Sequence, residues 1–125
     1  MDALLDRSAA KPRRQRAACR PRVIMIGPAL AVKGGVSAVE SLLIEALHPH
    51  CRLIHVATLT DGGAARKLLA ALTGLACFVA QCIRMRPHIV HVHFASRASF
   101  WRKSAFILIA RCLGIKVIGH AHGAQ

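Results

Sequence analysis

Four short runs of apolar residues mark the chain, and the segments between them repeat at helical spacing. Arg22-Val-Ile-Met-Ile-Gly27 is apolar on both faces, which suits a buried parallel strand over 22–27, and it ends at Gly27-Pro28. A loop holding Gly34-Gly35 follows. Ser37-Ala-Val-Glu40 has the S-x-x-E form of a capping box, with Ser37 capping a helix start and Glu40 reaching back. Val39, Leu42, Leu43, Ala46 and Leu47 then share one helical face, and His48-Pro49 ends the helix. Arg52-Leu-Ile-His-Val-Ala-Thr58 reads as a second strand, and Thr60-Asp61-Gly62-Gly63 as a turn. A long helix is predicted over 66–86, with Leu68, Leu72, Leu75, Val79 and Ile83 along one side. His88-Ile-Val-His-Val-His-Phe94 is the third strand. Ser96 to Arg102 is a polar, basic loop or helix start. Lys103 to Leu113 is helical, with Phe106, Ile109, Ala110 and Leu113 at core spacing and Gly114 as its stop. A fourth strand is predicted over 115–119. Strand–helix alternation of this kind predicts an α/β fold: a parallel sheet of about four strands, the first one central, with helices on both faces.

Composition narrows what such a sheet can serve. The chain has 125 residues, enough for one domain, and 54% are hydrophobic, which excludes a fully disordered protein. Aromatics are only 4% and Tyr is absent, which argues against recognition by rings stacked on bases. There are 18 bases against 5 acids, a net charge of +13. Such a balance favours anionic partners: nucleic acid, a membrane surface or phosphorylated substrates. A nucleic-acid module should carry a helix studded with bases, but the helix after Asp61 is apolar, so no specific nucleic-acid partner is expected. The first 22 residues hold seven bases and two acids, and residues 1–21 read as a disordered basic tail ahead of a domain at 22–125. The five cysteines form no C-x-x-C and no apolar signal segment precedes them. Reduced thiols in a cytoplasmic protein are expected, three or four of them in the core. The uncharged run Leu68–Ile83 has 16 residues, short for a span of about 20, so a packed helix is expected before an interfacial or spanning one.

Candidate chemistry follows from where strands end. In an open parallel sheet, ligands bind beyond the carboxyl ends of the strands. The Gly34-Gly35 turn there feeds a helix N-terminus, whose amides can hold a phosphate; it is neither G-x-G-x-x-G nor a Walker A loop. Histidines come as H-x-H twice, His91/His93 and His120/His122, and positions i and i+2 share a strand face. If the third and fourth strands are neighbours, His93 and His122 meet at adjacent strand ends. His91 is assigned to packing and His122, before Gly123, to function. No acid follows Asp61 and the cysteines fall largely on helices, so no metal is expected; carboxylate chemistry has only Glu40, Glu45, Asp61 or the tail to draw on. Ser96, Arg97, Arg102 and Lys103 form a basic, hydroxyl-bearing rim suited to phosphate or phospholipid, and Phe100-Trp101 beside them has the make-up of a membrane-interface patch.

The order of these features resembles the N-terminal half of a GT-B glycosyltransferase: strand, loop with Gly34-Gly35-Val36, helix, His88-Ile-Val-His-Val-His93, Arg102-Lys103, then Ile118-Gly-His-Ala-His-Gly123. The likeness is best for family 4, the retaining nucleotide-sugar enzymes of polysaccharide assembly, and it covers about 22–125. The resemblance implies a Rossmann-like, incomplete GT-B N-terminal domain. It implies that Gly34 and Gly35 face the donor phosphates and that His122 lies at the reaction centre. His93, Ser96, Arg97, Arg102, Lys103 and Gly123 are the expected substrate-binding neighbours. The expected partners are a nucleotide sugar, as substrate rather than cofactor, and a glycan or lipid-linked acceptor, with a peripheral site on the inner face of the membrane. The family's paired-glutamate motif and its Arg/Lys pair for the donor pyrophosphate do not occur in these residues. The chain therefore reads as an N-terminal fragment or truncated frame, inactive by itself. The alternative is a small α/β protein that binds membranes or anions without catalysis.

Overall fold

The computed structural model describes residues 20–123. Their order is β1 (Arg22–Pro28), α1 (Gly35–Leu47), β2 (Arg52–Leu59), α2 (Ala64–Met85), β3 (Ile89–Phe94), α3 (Arg97–Cys112) and β4 (Lys116–Ala121). All four strands are parallel, in the order β2-β1-β3-β4. This is an α/β, Rossmann-like sheet with β1 in its interior, as the apolar runs predict. The expected disorder of the basic tail falls almost wholly outside the described residues.

Right-handed crossovers fix the layers. The chain steps from β1 to β2 in one direction and from β2 across β1 to β3 in the other. The helix of the first step therefore lies on one face, and α2 and α3 lie on the opposite one. Ile24, Ile26, Val56, Val90 and Val92 point to the second face and meet Phe78, Cys82 and Met85 of α2 and Phe106 and Ala110 of α3 in one buried core. Phe78 and Phe106 pack with ring centroids 5.3 Å apart. Gly74 lets α2 come down on β2: a Cβ there would lie 2.5 Å from the Ala57 carbonyl oxygen. The α2 stripe inferred from periodicity is rotated. Leu75 and Val79 touch the core, but Leu68, Leu72 and Ile83 are exposed, because the sheet selects the face that carries Gly74 and Phe78.

α1 departs further from expectation. It is capped at Gly34 by no side chain, and Ser37 and Glu40 are its buried residues, while Leu42 is exposed. There is no capping box. The helix starts two residues earlier than Ser37, so both residues lie inside it and turn toward the sheet. α3 also starts early, at Arg97, because the Ser96 hydroxyl accepts the Ser99 amide at 3.2 Å as a side-chain cap. At its other end Leu113 is exposed rather than core. Of the cysteines described, Cys51 and Cys82 are buried and Cys77 and Cys112 exposed, fewer in the core than expected. β4 runs two residues past Gly119, because the parallel ladder with β3 continues through His93–His120 to Phe94–Ala121.

Candidate functional site

The face of the sheet under α1 is where the chemistry collects. Alternation that aims Ile24, Ile26, Val90 and Val92 at the core aims Met25, Gly27, His91 and His93 at the opposite face. Register then sets His55, Met25, His91 and Ile118 side by side across the four strands, with His93 beside His120 in the next row. His122, one residue beyond β4, continues the same side; its amide donates to the Phe94 carbonyl at 2.9 Å.

The four imidazoles form a stack. Ring centroids are 4.2 Å apart for His91–His93, 5.0 Å for His93–His120, 4.4 Å for His120–His122 and 5.7 Å for His91–His120. His93 Nδ1 and His122 Nε2 lie 2.9 Å apart, one donating and the other accepting. The expected meeting of His93 and His122 at adjacent strand ends is therefore present. His93 is fully buried, and its Nε2 has no hydrogen-bond partner. Burial, then the neighbouring histidines and Lys103, push its pKa down to about 3, so its ring is neutral at ordinary pH. Burial also lowers His91 and His122; His120 adds to both shifts and Glu40 opposes them.

Two residues carry charge into this face. Glu40 comes from α1, is 0% exposed, and accepts a hydrogen bond from His55 Nε2 at 3.2 Å through Oε2. Its other oxygen, Oε1, is buried without a partner. The carboxylate lies directly over Gly27, where a Cβ would sit 1.5 Å from Oε1. Gly27 is what lets a carboxylate reach the sheet. Lys103 does not join the solvent rim: it is 5% exposed and its Nζ donates to the His93 carbonyl. Burial lowers its pKa to about 8, with Glu40 opposing and Arg102 adding to the fall.

Around this cluster open two cavities at the carboxyl ends of the strands. One, about 460 Å³, is lined by Phe94, Ser96, Arg97, Phe100, Trp101 and His122. The other, about 240 Å³, lies between the ends of β1 and β3, with Pro28, Val36, Phe94, Ser99, Arg102 and Lys103 in its walls. Strand order reverses direction between β1 and β3, so the smaller cavity sits at the topological switch point. Val36 lines it, but Gly34 and Gly35 do not. A Cβ at Gly34, Gly35 or Gly123 would meet nothing within 4 Å. The first turn of α1 has no side-chain cap and no acid, so its amides are not taken by side chains.

Of the residues singled out from sequence, His93, His122, Lys103 and the Ser96–Arg102 segment are brought together. Gly34 and Gly35 stand at the entrance of α1, apart from the histidines' immediate contacts. His55 and Gly27 carried no signal of function. The single hint for His55 was its place on the second strand, one residue out of phase with the apolar Ile54 and Val56.

The chain matches no family model, no curated protein and no solved structure.

Proposed function

We propose that this chain supplies the acceptor-side wall of a retaining, nucleotide-sugar-dependent glycosyltransferase of GT-B type, moving a hexose to a polysaccharide or lipid-linked acceptor. The observation that carries the reading is the pair of cavities at the carboxyl ends of the strands: Val36, in the uncapped first turn of α1, and Arg102 line the one at the switch point, and His122 lines the other. A helix N-terminus with free amides suits a diphosphate. His122, half-buried and tied to His93, presents an imidazole where a sugar hydroxyl or a developing positive ring would lie. Arg97 and Arg102 add cationic charge at the rim. The family's paired carboxylates and pyrophosphate cations belong to a second domain, so catalysis requires that domain opposite this one.

The test is hexose transfer from a panel of nucleotide sugars to lipid-linked acceptors. It is run on residues 1–125 alone and on the same residues supplied with a family 4 donor-side domain. Transfer is expected only with the second domain present, and His122→Ala should lower turnover by about 10²–10⁴. Transfer by residues 1–125 alone, or turnover indifferent to His122→Ala, would overturn the reading.

A second reading has its own support. Leu68, Leu69, Leu72 and Ile83 of α2, and Trp101 beside the α3 arginines, are exposed apolar residues on a basic protein. α2 is long and apolar enough to cross a membrane by length and composition, yet it packs on β2 through Gly74 and Phe78. These features support a cytoplasmic protein held peripherally at an anionic inner membrane face. Co-sedimentation with vesicles rich in anionic lipid, and not with zwitterionic ones, is the expected outcome.

A further inference from the structure

We propose that His91, His93 and His120 form a binding site for one divalent transition-metal ion of the zinc type, with the buried carboxylate of Glu40 as its nearby counter-charge. One ring nitrogen from each of the three histidines lies within 4.8 Å of the others. Three nitrogens around one Zn²⁺ at tetrahedral angles sit about 3.4 Å apart, so each must close in by roughly 0.7 Å, within reach of small side-chain rotations. The three ligands stand on two neighbouring strands in fixed register, His93 opposite His120 and His91 two residues below on the same face. A rigid sheet is a good platform for such a set.

The buried polar atoms left without partners point the same way. His93 engages His122 through Nδ1 and leaves Nε2 buried and unpaired. A metal-ligating histidine has this arrangement: one nitrogen held by a neighbour, which fixes the ring, and the other on the ion. Glu40 Oε1 is the other buried side-chain atom among the described residues with no partner, and it belongs to the same face. Two such orphans would each cost free energy in a site meant to stay empty. Glu40 lies over Gly27, the residue after Ile26, and Ile26 pairs with Val92, the residue before His93. An ion bound to three neutral imidazoles keeps two positive charges, and a buried carboxylate beside it offsets one. Imidazole donors favour zinc, copper, nickel or iron over magnesium or calcium, which prefer oxygen. Three protein ligands leave a fourth position for water or an anion. The expectation that no metal binds rested on the lack of an acid after Asp61 and on the cysteines lying on helices; the helix α1 brings a carboxylate back from earlier in the chain.

The inference is independent of the transferase reading and is tested on residues 1–125 alone. Chelator-treated protein is titrated with Zn²⁺ by calorimetry and with Co²⁺ by optical absorption. One equivalent per chain should bind, the thermal midpoint should rise, and Co²⁺ should give d–d bands without thiolate charge transfer. His120→Ala, on the outer strand, should weaken binding by more than about 100-fold with unchanged far-UV circular dichroism. The exposed pair His48→Ala/His50→Ala should leave affinity unchanged. If His120→Ala disturbs the fold, His120→Asn must show the same loss of affinity. No saturable binding, a thiolate band, or affinity retained in a folded His120 variant would each overturn the proposal.

Discussion

The two faces of this sheet are built on opposite terms. Under α2 and α3, Ile24, Ile26, Val56, Val90 and Val92 close against Phe78 and Phe106 with no polar side chain in the cluster. Under α1, β2, β3 and β4 present His55, His91, His93 and His120 on the side that Glu40 enters, with His55 bonded to it. The first face loses apolar area to the core at every row and supplies most of the stability. The second buries a carboxylate with one oxygen unpaired and the imidazole of His93 with one nitrogen unpaired. Nothing in folding alone favours that arrangement. α1 packs against β1 and leaves β4 uncovered on this side, where Ile118 is 48% exposed. One face is covered by two helices, and the other by one helix that leaves β4 open.

The contrast can be tested at Phe78, at Gly27 together with Glu40, and at Gly35. Phe78→Ala removes the largest fully buried side chain from the apolar face and should cost about 3–5 kcal/mol in urea unfolding. A cost below about 1 kcal/mol would mean that the core lies elsewhere. Gly27→Ala forces a methyl into the Glu40 carboxylate and should cost about 1–3 kcal/mol. Adding Glu40→Ala should relieve most of that loss, giving a coupling of about 0.5–3 kcal/mol in the double-mutant cycle. Additive costs would place the Gly27 requirement in the backbone instead. Gly35→Ala enters open space at a helix start and should change stability by less than about 0.5 kcal/mol. Its effect on phosphate or nucleotide-sugar binding therefore reports binding alone. An affinity unchanged by Gly35→Ala and by the bulkier Gly35→Val would remove the phosphate role from this turn.

The fold was legible because both-faces-apolar runs have few other uses. Arg22–Gly27 and the Val/Ile positions of the later strands read as strands of one parallel sheet, and they are, with β1 and β3 inside it and β2 and β4 at its edges. Pairing of the two H-x-H segments was legible for the same reason, since strand alternation sets their faces. Helix phase was not. α1 and α2 carry apolar residues on nearly every side, so periodicity gave no unique buried face, and the sheet chose by close approach at Gly74 and by the Glu40–Gly27 fit. Glu40 read as a cap because S-x-x-E is a local pattern. Its inward turn depends on His55 and Gly27, which are 15 and 13 positions away in sequence and meet it only after the strands pair. Lys103 read as a rim cation because a lysine after an arginine at a helix start is ordinarily solvated; the His93 carbonyl at the end of β3 draws it in.

The central claim is that the α1 face is kept for chemistry and not for stability, and Glu40→Met tests it most directly. Methionine fills a similar volume over Gly27 and removes the half-paired buried charge. The imidazole of His55, its one hydrogen-bond partner, is 15% exposed and can turn to water instead, so no fully buried polar group is stranded. Equilibrium unfolding of residues 1–125 should show Glu40→Met within about 1 kcal/mol of the parent, or more stable. A loss of about 3–5 kcal/mol, the cost of breaking a buried pair that the fold depends on, would make Glu40–His55 a structural element and contradict the account.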